Sequence, residues 1–185
     1  GAITGVETKK GLTYYAPQII SNAAIPNTFN ELLDNKALGD TERKRDRELP
    51  VAVSISQAYI GIKGDASKLG LPDRGRFYEI SYDYDAHWKA LKEGDYRNQP
   101  YMLGNHNLAD PGHHPEGRSI LHTTLLTNGA LWMNLEKKEY RSRKKELQEF
   151  LIDRLEDVIP DVRERMEVCE VGTPHTMARY TANPE

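Results

Sequence analysis

Six histidines, one cysteine and a large set of carboxylates are the side chains here that could do acid–base, nucleophilic or metal chemistry. Four of the histidines lie close together in the sequence, at His106, His113, His114 and His122. Neutral imidazole is a common metal ligand. The spacing suits it poorly. There is no HExxH and no paired Cys/His signature, and His113-His114 sit among Pro and Gly on a loop. A polar surface loop is the stronger reading, and no metal is expected. Cys169 lies inside Met166-Glu167-Val168-Cys169-Glu170-Val171, whose alternation buries one side of a strand. A small hydrophobic core thiol is the default there, not a nucleophile. No GxSxG elbow is present. The carboxylates read as helix-surface charges, and nothing marks two of them as a catalytic pair. Gly61 to Gly75 holds several glycines without the GxGxxG spacing of a phosphate grip. The spacing of residues alone therefore identifies no catalytic residue.

The elements that carry these side chains suggest an α+β domain with a mixed β-sheet and packed helices. Ile3 to Glu7 and Tyr14 to Ile20 read as two strands turned by Lys9-Lys10-Gly11. Pro26 starts a helix that puts Phe29, Leu32 and Leu33 on one face. Pro50 introduces a strand from Val51 to Ile62, with Val51, Val53 and Ile55 alternating against Ala52, Ser54 and Ser56. Gly64 to Arg76 is loop, and Phe77 to Ser81 a short strand. Asp83 to Glu93 is a helix, with Asp83 or Asp85 as its cap and Gly94 as its end. Met102 to Gly104 and Ser119 to Thr127 are strands around a turn-rich loop, Asn105 to Gly117. Glu136 to Ile159 is the clearest helix, with an apolar stripe of Tyr140, Leu147, Phe150, Leu151, Leu155 and Val158, stopped by Pro160. The basic cluster Lys137 to Lys145 is most simply its wet face. Met166 to Val171 is a last strand, leading through Gly172-Thr173-Pro174 into a short helix.

With 185 residues, the chain is one ordinary domain or a piece of a larger one. The mean hydropathy is −0.70, on the lean side for a core. A net charge of −3 argues against a broad nucleic-acid surface. The charge run Thr41 to Glu48 (TERKRDRE) fits a solvated loop, because acids interrupt its bases. One cysteine permits no internal disulfide and fits a reducing, cytoplasmic setting. No apolar run approaches the roughly 20 residues of a membrane span. Gly1 opens directly into a strand and the chain stops at Pro184-Glu185, so both ends read as cut from a larger protein.

Several segments together resemble the phytoene desaturase-like flavoproteins, which include carotenoid isomerases and retinol saturases. The opening GAITGVETKKGLTYYAPQIISNA is similar to that family's internal hairpin, through Gly1, Ile3, Gly5, Val6, Gly11 and Ser21-Asn22-Ala23. SISQAYIGIKGD resembles a family strand with Gly61 after its aromatic–aliphatic run. LADPGHHPEGRSILH matches through Asp110, Pro111, Pro115 and Gly117. ERMEVCEVGTPHTMARYTANPE resembles the stretch before the closing cofactor segment, through Gly172-Thr173-Pro174, Thr176, Arg179-Tyr180-Thr181 and Asn183-Pro184. These motifs occur in the family's order along nearly the whole chain.

This resemblance implies a two-part enzyme in which a Rossmann-like domain holds FAD and a substrate domain covers the flavin. Residues 1–25 would be a hairpin of the FAD-binding domain, 26–172 the substrate-binding domain, and 173–185 a return segment. The implied reaction is redox at carbon–carbon bonds of an apolar polyene or isoprenoid. Asn22 and Ala23 are implied near the cofactor, and His175, Thr176 and Tyr180 near the substrate. Two simpler roles stand beside these: Asn22 as a turn former, and Thr173 as a helix cap ahead of Pro174. FAD would be held by the missing half of the same chain, so this stretch alone is expected to be inactive. Peripheral contact with a membrane is a further expectation, since such substrates live in bilayers. The rival reading is a non-catalytic prenyl- or lipid-binding module of the Rab escort and GDP-dissociation-inhibitor type.

Overall fold

The computed structural model describes residues 3–33 and 51–183. Gly1, the Thr41–Glu48 charge run, Pro50 and the Pro184-Glu185 end lie outside the described residues. The chain divides into two compact units, Gly1–Val51 with Thr181–Pro184, and Ala52–Tyr180.

In the first unit, β1 (Gly5–Glu7) pairs antiparallel with β2 (Thr13–Tyr15), setting Gly5 opposite Tyr15. Gly11 takes φ +79° in the turn, a conformation open to glycine at no steric cost. The turn closes through Gly11 N–H donating to the Thr8 carbonyl at 2.9 Å. The second strand stops at Tyr15 rather than running to Ile20, because Pro17 has no N–H to extend a ladder. A helical turn, Ile25–Asn27, starts at Pro26 as expected and passes into a π-helical turn, Thr28–Leu32. Neither turn buries a residue, so the expected apolar face of Phe29 and Leu32 is not core.

The second unit is a five-stranded sheet in the order β4-β5-β6-β3-β7. Its strands are β3 (Ser54–Lys63), β4 (Gly75–Tyr78), β5 (Tyr101–Asn105), β6 (Arg118–Thr127) and β7 (Met166–Gly172). The α+β class expected from the sequence is what the structure shows. The mixed sheet is corrected: every pairing in it is antiparallel. β6 and β7 do run in the same direction, but β3 lies between them and pairs with both. The parallel relation is therefore never one of direct neighbours.

A second correction concerns β3. Its alternation is present, but the buried set is Ser54, Ser56, Ala58, Ile60 and Ile62, while Val51 and Val53 are exposed. The period of two was legible, yet a one-residue change of phase exchanges the faces. The loop expected over Gly64 to Arg76 also contains a helical turn, Ala66–Leu69. Its first amides are capped by Asp65, whose carboxylate accepts from Ser67 N–H at 3.1 Å.

Helix α1 (Tyr84–Glu93) begins at an Asp83 cap that accepts from Ala86 N–H at 3.0 Å, and ends at Gly94 in the left-handed region, as the sequence predicts. Helix α2 (Lys137–Glu156) covers the sheet's inner face with Leu147, Leu151 and Leu155, all fully buried, together with Phe150. Each such Leu contributes about 1.5–3 kcal/mol by leaving water. Ile152, outside the predicted stripe, is buried too, and α2 packs on an unanticipated helical turn at Val162–Arg165 whose Val162 is also fully buried. Helix α3 (Pro174–Thr181) follows β7.

Candidate functional site

One face of the sheet is core; among the described residues the other is covered in part, by helix α1. Residues paired across antiparallel strands point to the same side. Gly75, Gly104, His122 and Tyr59 therefore form one row of this second face, and Phe77, Met102, Thr124 and Gln57 the next. Phe77 is 75% exposed and Leu126 50%, large apolar side chains left facing outward.

Between helix α1 and the β4-β5-β6 side of the sheet lies a cavity of about 450 Å³. Helix α1 contributes Tyr84, His87, Trp88 and Leu91, and the strands contribute Phe77, Met102, Thr124 and Leu126. The lining is overwhelmingly hydrocarbon and aromatic, the character of a site for an apolar ligand. His87 and Gln99 are its buried polar members, and His87 sits on α1. Its Nε2 meets Ser81 Oγ at 3.0 Å, and its Nδ1 lies 3.8 Å from a Glu79 carboxylate oxygen, beyond hydrogen-bond range. Tyr84 stands edge-on to the imidazole at 5.8 Å between ring centres. Such a cavity can bind and orient an apolar chain.

Beyond the cavity on the same face, His122 Nδ1 meets His106 Nε2 at 2.9 Å. One ring must donate and the other accept, so the contact suits a pair that is not doubly protonated. Burial, then the neighbouring His106, holds the His122 pKa below the usual histidine value. The other two loop histidines face elsewhere: His113 Nδ1 contacts the Asp110 carboxylate at 2.6 Å, and His114 Nδ1 lies 3.1 Å from the Pro115 carbonyl. Among the described residues no three His, Cys, Asp or Glu side chains are arranged to hold a metal ion. Cys169 sits half-buried on β7, and burial raises its thiol pKa, which disfavours the thiolate.

Thr173 is fully buried and caps α3, accepting from Thr176 N–H at 3.4 Å. Its hydroxyl also meets Tyr140 Oη at 3.0 Å and Thr176 Oγ1 at 3.3 Å. Of the three residues expected at the substrate, Thr176 thus belongs to the cap. His175 is exposed, with its ring 5.6 Å from that of Tyr140. Tyr180 is exposed beneath the Arg179 guanidinium at 4.9 Å. All three share α3, and none lines the cavity.

Asn22 and Ala23 are exposed in the first unit. Ala23 N–H donates to Ser21 Oγ at 3.4 Å, and Ser21 Oγ meets Thr28 Oγ1 at 2.8 Å. An FAD pyrophosphate calls for several free backbone N–H groups at a helix start. This turn uses the Ala23 amide internally, so it does not present the donor set a pyrophosphate calls for.

Sequence reasoning missed the cavity residues Phe77, Tyr84, His87, Trp88 and Met102. The available signal was the aromatic content of Tyr82 to Trp88 on an otherwise polar helix.

No family model matches the chain. It is 31% identical to the chloroplastic prolycopene isomerase of Arabidopsis thaliana over 188 residues, 98% of this chain and 29% of that protein. The Daucus carota protein of the same name is also 31% identical, across 98% of this chain and 28% of its own length. Prolycopene isomerase 2 of an Oncidium hybrid cultivar is 28% identical, with 98% and 30% covered. The resemblance to the phytoene desaturase and carotenoid isomerase family is borne out. The chain spans less than a third of the length of these curated relatives.

Proposed function

We propose that this chain is the substrate-side portion of an FAD-dependent enzyme acting on carbon–carbon bonds of an apolar polyene or isoprenoid. The observation that carries the reading is the aromatic-lined cavity of about 450 Å³ opening beside the partly covered sheet face. That volume lies toward the small end of the range for ligand sites of about 300–1,000 Å³. It therefore suits one end of a long polyene, with the remainder lying along the Met102, Thr124 and His122 side of the sheet. The similarity to prolycopene isomerases supports a polyene over other apolar ligands.

In this reading residues 1–25 and 173–185 connect to the part that holds FAD, and the chain by itself does not turn over. Asn22 and Ala23 would be the residues of this hairpin nearest the flavin, with Ala23 N–H already engaged by Ser21. His175, Thr176 and Tyr180 would meet the polyene outside the cavity, with Thr176 also part of the α3 cap. The protein's contribution is to bind, orient and keep water from the polyene.

The test is binding of prolycopene presented in detergent micelles, read by its visible absorbance, followed by product analysis with FAD supplied. Thr124→Trp, which fills the cavity, should weaken binding at least about tenfold, an effect within reach of lost apolar burial. Equal binding by Thr124→Trp and the parent chain would overturn the assignment of the cavity. Binding without any change in the polyene, in flavin-loaded full-length protein, would turn the reading into that of a non-catalytic carrier.

A further inference from the structure

Two polar side chains are buried in the wall of the apolar cavity, His87 at 8% exposed and Gln99 at 4%. Four buried side-chain polar atoms lack a hydrogen-bond partner among the described residues. Two of them, His87 Nδ1 and Thr124 Oγ1, belong to residues that line this cavity. Native folds leave few such atoms, so two at one cavity call for an explanation. A ligand that supplies the missing partners recovers the cost of burying them.

Ser81 Oγ accepts from Asp83 N–H at 3.2 Å, which leaves its own O–H to donate to His87 Nε2 at 3.0 Å. The network thus assigns the ring hydrogen to Nδ1, and the Glu79 carboxylate on that side favours the same tautomer. Nδ1 and the carboxylate are 3.8 Å apart, too far for a bond between them and close enough for one oxygen atom to touch both. Glu79 lines the cavity too, and its side chain is only half-buried and able to turn. Gln99 donates through its amide N–H groups to the Asp95 carbonyl at 3.1 Å and the Ala90 carbonyl at 3.5 Å. Its own carbonyl oxygen, which no donor among the described residues meets, is left as an acceptor. The hydrocarbon lining therefore holds an unused N–H donor, an unused hydroxyl and two acceptors.

We propose that the cavity recognises an isoprenoid or polyene by a hydroxyl at the end that enters it, with His87 Nδ1–H donating to that oxygen and the Glu79 carboxylate accepting its hydrogen. This rests on the reading of the cavity as the seat of an apolar chain. A hydroxyl is the smallest group that accepts and donates at one atom. A hydrocarbon end leaves all of these groups unpaired. An ether or carbonyl oxygen accepts from Nδ1 but brings no hydrogen to the carboxylate. A carboxylate or phosphate end would set like charge against Glu79, and an ammonium has no lone pair to accept from Nδ1–H.

The experiment is equilibrium dialysis of radiolabelled farnesol, and of farnesyl methyl ether, against the flavin-loaded full-length protein. The two probes share one apolar chain and differ in the hydroxyl hydrogen, which the ether lacks. Farnesol should bind at least about tenfold more tightly than the ether, the effect of leaving one charged acceptor unpaired. Glu79→Met, on a half-buried residue just outside β4, should remove that preference and leave ether binding as it was. His87→Phe should weaken both probes, since both lose the Nδ1–H donor. Thermal midpoints of the two variants check that each is folded. Equal binding of the two probes by the wild type overturns the proposal. So does a preference that survives Glu79→Met, or farnesol binding unchanged by His87→Phe. Binding of neither probe, together with no binding of prolycopene in micelles, overturns the apolar-chain reading and this proposal with it. Prolycopene binding without a preference for farnesol overturns the hydroxyl alone.

Discussion

The imidazole of His122 rests directly on Gly104 in the neighbouring strand. A methyl group at residue 104 would stand 2.0 Å from His122 Cε1, which no packing tolerates. The glycine is what lets the ring lie flat on the sheet and reach His106 at 2.9 Å.

Gly104→Ala should therefore drive the ring off the strand and break the histidine contact. We expect a loss of about 1–3 kcal/mol, the usual cost of overpacking, read as a lower urea midpoint. Combining it with His122→Ala should recover most of the loss, because the three atoms nearest the added methyl all belong to His122.

The same pair gives a pH dependence. The His122 pKa is depressed in the fold relative to its ordinary value of 6.5. The unfolded chain then takes up the proton first, so stability falls as pH drops below about 6.5 toward the depressed folded value. Above that window the contribution is constant. His122→Phe should flatten the slope of urea midpoint against pH between neutral and mildly acid conditions. An unchanged slope would mean that other groups carry it.

Thr173 joins β7 to α3 by capping the helix and bonding Tyr140 Oη at 3.0 Å. Thr173→Ala removes both and leaves the tyrosine hydroxyl without this partner. A loss of about 1–2 kcal/mol is expected by chemical denaturation. Thr173→Ser, which keeps the hydroxyl, should retain most of the stability.

Thr123 faces the core between Ala58 and Leu103, fully buried, and its hydroxyl has no hydrogen-bond partner among the described residues. Replacing an unpaired buried hydroxyl with a methyl removes a desolvation cost. Thr123→Val should leave the thermal midpoint unchanged or raise it, by up to about 1 kcal/mol of added stability. A clear destabilisation would show that the hydroxyl has a partner in solution.

Local chemistry made several elements legible in advance. Asp83 and Gly94 bracket α1, the Leu147-Leu151-Leu155 stripe marks the buried side of α2, and Thr173 before Pro174 marks the start of α3. Caps, turns and helical periodicity act over a few residues, so a single sequence contains them. The phase of β3 was not legible, because Val51 and Val53 are more apolar than Ser54 and Ser56, and their side of the strand looks like the core. What reverses it is the pairing of Ser56 with Leu125, and of Ala58 with Thr123, on the side covered by α2. That choice is made by partners some 65 or more positions away in the sequence.

The sequence by itself determined the α+β class, the helix ends and the likeness to carotenoid isomerases, because each is written in short ordered patterns. Only the tertiary structure decided which sheet face becomes core, that His106 and His122 touch while His113 turns to Asp110, and that Phe77, Trp88, Met102 and Thr124 surround one cavity. These are meetings of side chains from separate strands and a helix, and they depend on strand order and register, which no local pattern encodes.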